Sequence, residues 1–154
     1  APRQHMRKMK VGKITFTEAY KAVYEYRQKF PEKAVTFYAQ NYPAMGWAVL
    51  MAGGSCPVIP CTDKAFLKDA AIMEVEETNT DDYKRIVKSD IGSIIYSKSG
   101  TEIPVQLSSG KYSLKYIHPS SGKVTMIDKL LKINDVYTLK VPDKKEGIYW
   151  FHKL

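Results

Sequence analysis

The stretch Tyr112-Ser113-Leu114-Lys115-Tyr116-Ile117, the cluster His118-Pro119-Ser120-Ser121-Gly122 and the run Lys123-Val124-Thr125-Met126-Ile127 read as strand, turn and strand. Side chains of a strand alternate between its faces, so Tyr112, Leu114 and Tyr116 share one face while Ser113 and Lys115 share the other. The bulky face is expected to be core rather than a carbohydrate platform. The same period-two pattern recurs on either side, in Ser93–Ser97, Ile103–Leu107, Val136–Val141 and Gly147–His152. Turn signals separate these runs at Ser99-Gly100, Ser108-Ser109-Gly110, Asn134-Asp135 and Pro142-Asp143. Six short strands about ten residues apart predict a small antiparallel β-sandwich or barrel. Tyr149 and Trp150 are adjacent and must point to opposite faces, so one of them is external or lies against whatever precedes the sandwich.

Upstream the period changes. Thr15 and Glu18 have capping-box spacing, and Ala19, Tyr20, Val23, Arg27 and Phe30 fall on one face of a helix that Pro31 stops. Ala34–Ala39 reads as a strand buried on both sides, and Pro43–Ala52 as an apolar, buried helix ended by Gly53-Gly54. Cys56–Pro60 reads as a short strand, and Thr62 as the cap of a third helix striped by Phe66, Leu67, Ala70, Ala71 and Met73. The acidic stretch Glu74–Asp82 reads as a linker or surface loop. Helix, strand, helix, strand, helix is the order of βα units on a parallel sheet. Two strands do not make a stable parallel sheet, so residues 1–88 are expected to be the end of a larger domain and 89–154 the sandwich, an α+β chain.

Composition bounds the function. At 154 residues and 44% apolar the chain is not disordered, and its apolar runs are too short to span a bilayer. The net charge of +8 is spread as +6 over residues 1–30, −5 over 31–83 and +7 over 84–154. The lysines of the sandwich would suit an anionic polymer, either an acidic polysaccharide or a nucleic acid, but lysines on outward strand positions also protect sheet edges and no nucleic-acid signature accompanies them, so a solvated surface is expected. Pro57 and Pro60 hold Cys56 and Cys61 apart, so free, buried thiols are expected. His5, His118 and His152 lie far from both cysteines in sequence, and no metal or cofactor is expected. The basic start, Ala1–Lys10, has no apolar stretch or cleavage site and does not read as an export signal. Gly53-Gly54-Ser55 follows a helix, which is the wrong context for a phosphate loop.

Three runs together, Tyr26–Val35, Gly46-Trp47-Ala48-Val49-Leu50-Met51-Ala52-Gly53-Gly54-Ser55, and Tyr112…Tyr116-Ile117-His118-Pro119-Ser120-Ser121-Gly122-Lys123, resemble the C-terminal third of apiosidase-like glycoside hydrolases. In that family a catalytic (β/α)₈ barrel is followed by a β-sandwich often labelled a collagen-binding domain. The resemblance implies that residues 1–88 are the last βα units of the barrel. It also implies a carbohydrate partner, the rest of the barrel as a partner within the same protein, and a periplasmic or extracellular location. Related barrels carry a catalytic carboxylate at the C-terminal end of strand seven, where this chain has Tyr38-Ala39-Gln40-Asn41 and no Asp or Glu. An amide cannot act as the glycosidase nucleophile, so a carboxylate comes from elsewhere in the barrel, or hydrolysis is lost, or the match is displaced by a loop. Gln40 and Asn41 are candidate sugar-hydroxyl contacts, with helix capping before Pro43 as the competing role, and Trp150 is a candidate sugar contact on the sandwich. Trp47, in an all-apolar helix, is expected to be core. The expected function is the C-terminal segment of a glycoside-hydrolase-like protein acting on a polysaccharide or oligosaccharide. The alternative is a non-catalytic carbohydrate- or matrix-binding module whose helices form a layer against the sandwich.

Overall fold

A computed structural model describes residues 15–37, 43–55, 57–61 and 63–154. Three helices come first: α1 (Phe16–Lys29), α2 (Pro43–Met51) and α3 (Lys64–Ile72). Eight strands follow: β1 (Glu74–Glu76), β2 (Tyr83–Lys88), β3 (Gly92–Ser97), β4 (Glu102–Gln106), β5 (Gly110–Ile117), β6 (Val124–Ile133), β7 (Val136–Lys140) and β8 (Gly147–Lys153). Six of them form an antiparallel sheet in the order β1-β2-β3-β8-β5-β6, and β4 pairs with β7 in a second, two-stranded sheet.

All six expected strands are present. Two more, β1 and β2, stand where the acidic stretch and its flank predict a loop. Tyr83–Lys88 pairs along its whole length with β3, so a division at residue 88 would cut β1 and β2 from their own sheet. The acidic side chains hide this strand signal, because β1 is a sheet edge whose glutamates reach solvent or a cation. Arg85 Nη2 donates to Glu76 Oε1 at 2.8 Å, and Arg85 Nη1 to the Pro104 carbonyl at 2.8 Å, tying β2 to β4 of the small sheet.

The central strands β3 and β8 are buried on both faces. On one face Ile86, Ile94, Tyr96, Ile117, Ile148 and Trp150 pack against Tyr20, Val23, Trp47, Met51 and Phe66 of the helices. On the other, Ile95, Tyr112, Leu114, Tyr149 and Phe151 pack against Ile103, Val105, Leu139 and Val141 of the small sheet and its flanks. The chain is therefore three layers deep: helices, six strands, two strands. The capping box forms as the spacing predicts, with Thr15 Oγ1 accepting from the Glu18 amide and Glu18 Oε2 accepting from the Thr15 amide, both at 3.2 Å. For α3 the cap is Asp63, whose Oδ1 accepts from the Phe66 amide at 3.0 Å, one residue after the expected Thr62, which lies outside the described residues.

The first half departs from its expected βα order. Residues 34–37 and 57–60 form no strand, and among the described residues there is no parallel strand pair. An extended segment punctuated by proline carries the same pattern as a buried strand, so periodicity alone does not distinguish them. The first segment does reach the residues that precede the second, where the Ser55 amide donates to the Val35 carbonyl at 2.7 Å. Cys61 is a free, buried thiol as expected, while Cys56 lies outside the described residues.

The two motifs Gly46-Trp47 and Pro119-Ser120-Ser121-Gly122 touch each other. Trp47 Nε1 donates to the Pro119 carbonyl at 2.8 Å, and Gly122, at φ 71°, lies so close to Pro60 that a Cβ there would run into the Pro60 carbonyl. Gly100 has the same φ of 71°, but its Cβ would meet only the flexible Asp143 side chain, at 3.2 Å. Both Gly→Ala substitutions are expected to cost about 1–2 kcal/mol for left-handed backbone, and Gly122→Ala to cost more because backbone must also move. Urea unfolding of the two variants checks this, and equal losses would contradict the close approach at Gly122.

Candidate functional site

The small sheet is two strands wide and the large one six, so the lid leaves part of the large sheet's face uncovered beyond β7. There β5, β6, β7 and the loop before β8 enclose a cleft of about 540 Å³. Its apolar wall comes from Tyr116, Tyr137, Tyr149, Leu114, Leu139 and Ile127, and its rim from Lys123, Lys140, Lys145, His118, Ser121 and Thr125. Among the described residues no carboxylate lines it.

Each tyrosine is held by the elements around it. Tyr149 Oη donates to the Lys145 carbonyl and Tyr116 Oη to the Glu146 carbonyl, both at 2.8 Å, which pins the loop 142–146 across one end of the cleft. The Tyr116 and Tyr149 rings lie 5.3 Å apart and tilted, and Tyr137 meets Phe151 edge-on at 5.9 Å. Lys145 Nζ sits 5.4 Å from the Tyr116 ring centre, within range of a cation–π contact. At the other end the His118 ring accepts from the Ser120 and Ser121 amides through Nδ1, at 3.3 Å each, shaping the turn that Trp47 and Pro60 hold from below.

Burial, helped by neighbouring Tyr116, pushes the Tyr149 phenol up to about 12, and burial with nearby Glu146 raises that of Tyr116. Both are therefore neutral hydroxyls at physiological pH.

Of the residues singled out from sequence, Gln40 and Asn41 lie outside the described residues. Trp150 is described and is fully buried, so it offers no ring face to a sugar. The second alternative for the Tyr149–Trp150 pair holds, since Tyr149 enters the sandwich core and Trp150 the helix-facing core. Trp47, expected as core, is fully buried.

Around Trp150 is a polar cluster that sequence reading missed. Trp150 Nε1 donates to Asp69 Oδ2 at 2.9 Å, His152 Nδ1 lies 2.6 Å from the same oxygen, and Lys115 Nζ stands 4.8 Å from the indole. The signal was available: Asp69 is three residues after Phe66, an acid on the apolar stripe of its own helix. This cluster fastens α3 to β8, and among the described residues no group of His, Cys, Asp and Glu is arranged to hold a metal.

Comparisons with known proteins each match part of the chain. A family model described as "Domain of unknown function (DUF6298)" matches residues 1–73, ending at the residue before β1. No curated protein matches the chain. A solved structure described as "Glycoside hydrolase" is similar to it with a TM-score of 0.40 and 13% identity, over 54% of this chain and 20% of that one. The chain thus spans about a fifth of that protein's length.

Two outcomes follow from the site's construction. Asp69→Ala leaves the buried Trp150 N–H without an acceptor, at an expected cost of about 1–3 kcal/mol, and the cost should be smaller when Trp150→Phe has already removed that donor. A double-mutant cycle read by chemical denaturation checks the coupling; additive losses would contradict it. The raised Tyr149 phenol contributes stability that is complete below pH 10, the ordinary tyrosine value, and is lost as pH rises from about 10 to 12. Tyr149→Phe is expected to flatten part of that alkaline decline in circular-dichroism unfolding curves, whereas an unchanged slope would place the titration elsewhere.

Proposed function

We propose that this chain is a carbohydrate-holding, non-catalytic part of a glycoside-hydrolase-like protein, with the cleft between the two sheets as the place where a saccharide is bound. The observation that carries this reading is the cleft itself: neutral tyrosines on its wall, hydroxyl and amino groups on its rim, and no carboxylate. Sugars present an apolar C–H face and a rim of hydroxyls, which matches aromatic walls edged by polar groups. Glycoside hydrolysis by the usual route requires a pair of carboxyl groups flanking the bond, and a cleft without one holds a sugar rather than cleaves it.

The resemblance to apiosidase-like proteins supports the finer part of the proposal, in which the helical layer is the end of a barrel whose remaining units lie elsewhere in the same protein. Those further units would cover Tyr26, Phe30, Leu67 and Ile72, which keep 36–47% of their surface exposed on α1 and α3 or at their ends. In this arrangement the barrel part ends at Met73, Gln40 and Asn41 contact sugar hydroxyls at the barrel mouth, and the protein works in the periplasm or outside the cell.

Isothermal calorimetry of the chain against short neutral and acidic oligosaccharides tests the central claim. Binding is expected, with Tyr137→Ala weakening it about tenfold, or ~1.4 kcal/mol. A folded chain that binds no saccharide would overturn the proposal, and one that hydrolyses them unaided would overturn its non-catalytic part.

A further inference from the structure

Resting on that reading, we infer that the saccharide held between the sheets is an acidic one, carrying a carboxylate or sulfate on its ring. Lys123 precedes β6, Lys140 ends β7 and Lys145 lies in the loop before β8, so three separate elements each deliver an exposed ammonium group to the same rim. The exposed His118 imidazole joins them. Lysines spread for solubility would fall among acids, yet none of the six acidic residues downstream of residue 83 lines this cleft. Among the described ion pairs, Lys140 meets Glu102 at 4.0 Å with both side chains largely exposed, a contact worth little, and Lys123 and Lys145 have no carboxylate partner. Three cations over an apolar aromatic wall complement a ligand that is apolar on one face and anionic at its edge, and a sugar acid has both.

A nucleic acid is also anionic, but its bases stack on exposed rings. Here Tyr149 is 2% exposed and Tyr116 and Tyr137 are half-buried in the wall, which leaves partial ring faces for one compact ligand and no row of exposed rings for successive bases. The cleft volume of about 540 Å³ lies within the range of small-molecule sites, about 300–1,000 Å³, and suits a few sugar rings better than a polymer groove.

The test compares a linear tetramer of a hexuronic acid with its methyl ester, which keeps the shape and removes the charge, by calorimetry on the full chain. The acid is expected to bind about tenfold more tightly than the ester at low salt, with the gap closing as salt is added. The triple variant Lys123→Gln, Lys140→Gln, Lys145→Gln is expected to abolish the preference, so that acid and ester bind equally, while leaving the melting temperature unchanged, since all three side chains are exposed. Equal binding of acid and ester, or a preference that survives the triple variant, overturns the inference and leaves saccharide binding standing. Binding of neither removes both. A single-stranded oligonucleotide of equal charge that displaces the uronate at the same concentration also overturns it, because the cleft would then read charge without sugar.

Discussion

A strand with large apolar groups on both faces needs a cover on each side, and β8 is such a strand. Ile148 and Trp150 point one way, Tyr149 and Phe151 the other, and β3 repeats the arrangement with Ile94 and Tyr96 against Ile95. An antiparallel sheet with one solvated face would have tolerated polar residues at half these positions. Here neither face has that freedom, so the helices and the two-stranded sheet are both obligatory. The helical cover is joined through an aromatic relay: Trp47 of α2 meets Phe66 of α3 edge-on at 5.9 Å, and Phe66 meets Trp150 of β8 edge-on at 5.4 Å. Polar fasteners lie beside it, with each indole N–H finding an acceptor in a different part of the fold.

The cleft is a by-product of that layering. A lid of two strands cannot cover a sheet of six, and the part left open adjoins β7 and the long edge strand β6. The turn that closes one end of the cleft is the one that Trp47 and Pro60 support, so the helical layer shapes the site without lining it. The other end depends on two tyrosine hydroxyls holding a loop. Architecture and candidate site are thus linked through a handful of backbone carbonyls, at Pro119, Lys145 and Glu146.

Elements with strong local signals were legible in the sequence, among them the Thr15–Glu18 box, the apolar α2 and six alternating strands with their turns. Elements whose state depends on neighbours were not. β1 and β2 carry glutamate, lysine and arginine because they sit at an edge or reach across to loops, and their pairing with β3 is decided by register rather than by composition. Residues 57–60 have the extended bias that prolines impose, and nothing local tells an unpaired extended segment from a strand. The burial of Trp150 needed the partner that covers it, although an acid at Asp69 on an apolar stripe was a hint. The cleft was the least legible feature, since Lys123, Lys140 and Lys145 are distant in sequence and converge only once the sandwich is closed.

The placement of the two tryptophans has an optical consequence. Both indoles of the chain lie in the seam between helices and sheet, whereas the opposite core holds tyrosine and phenylalanine alone. Intrinsic indole emission therefore watches one seam of the molecule, and a shift toward the red would report separation of the helices from the sheet while saying nothing of the lid.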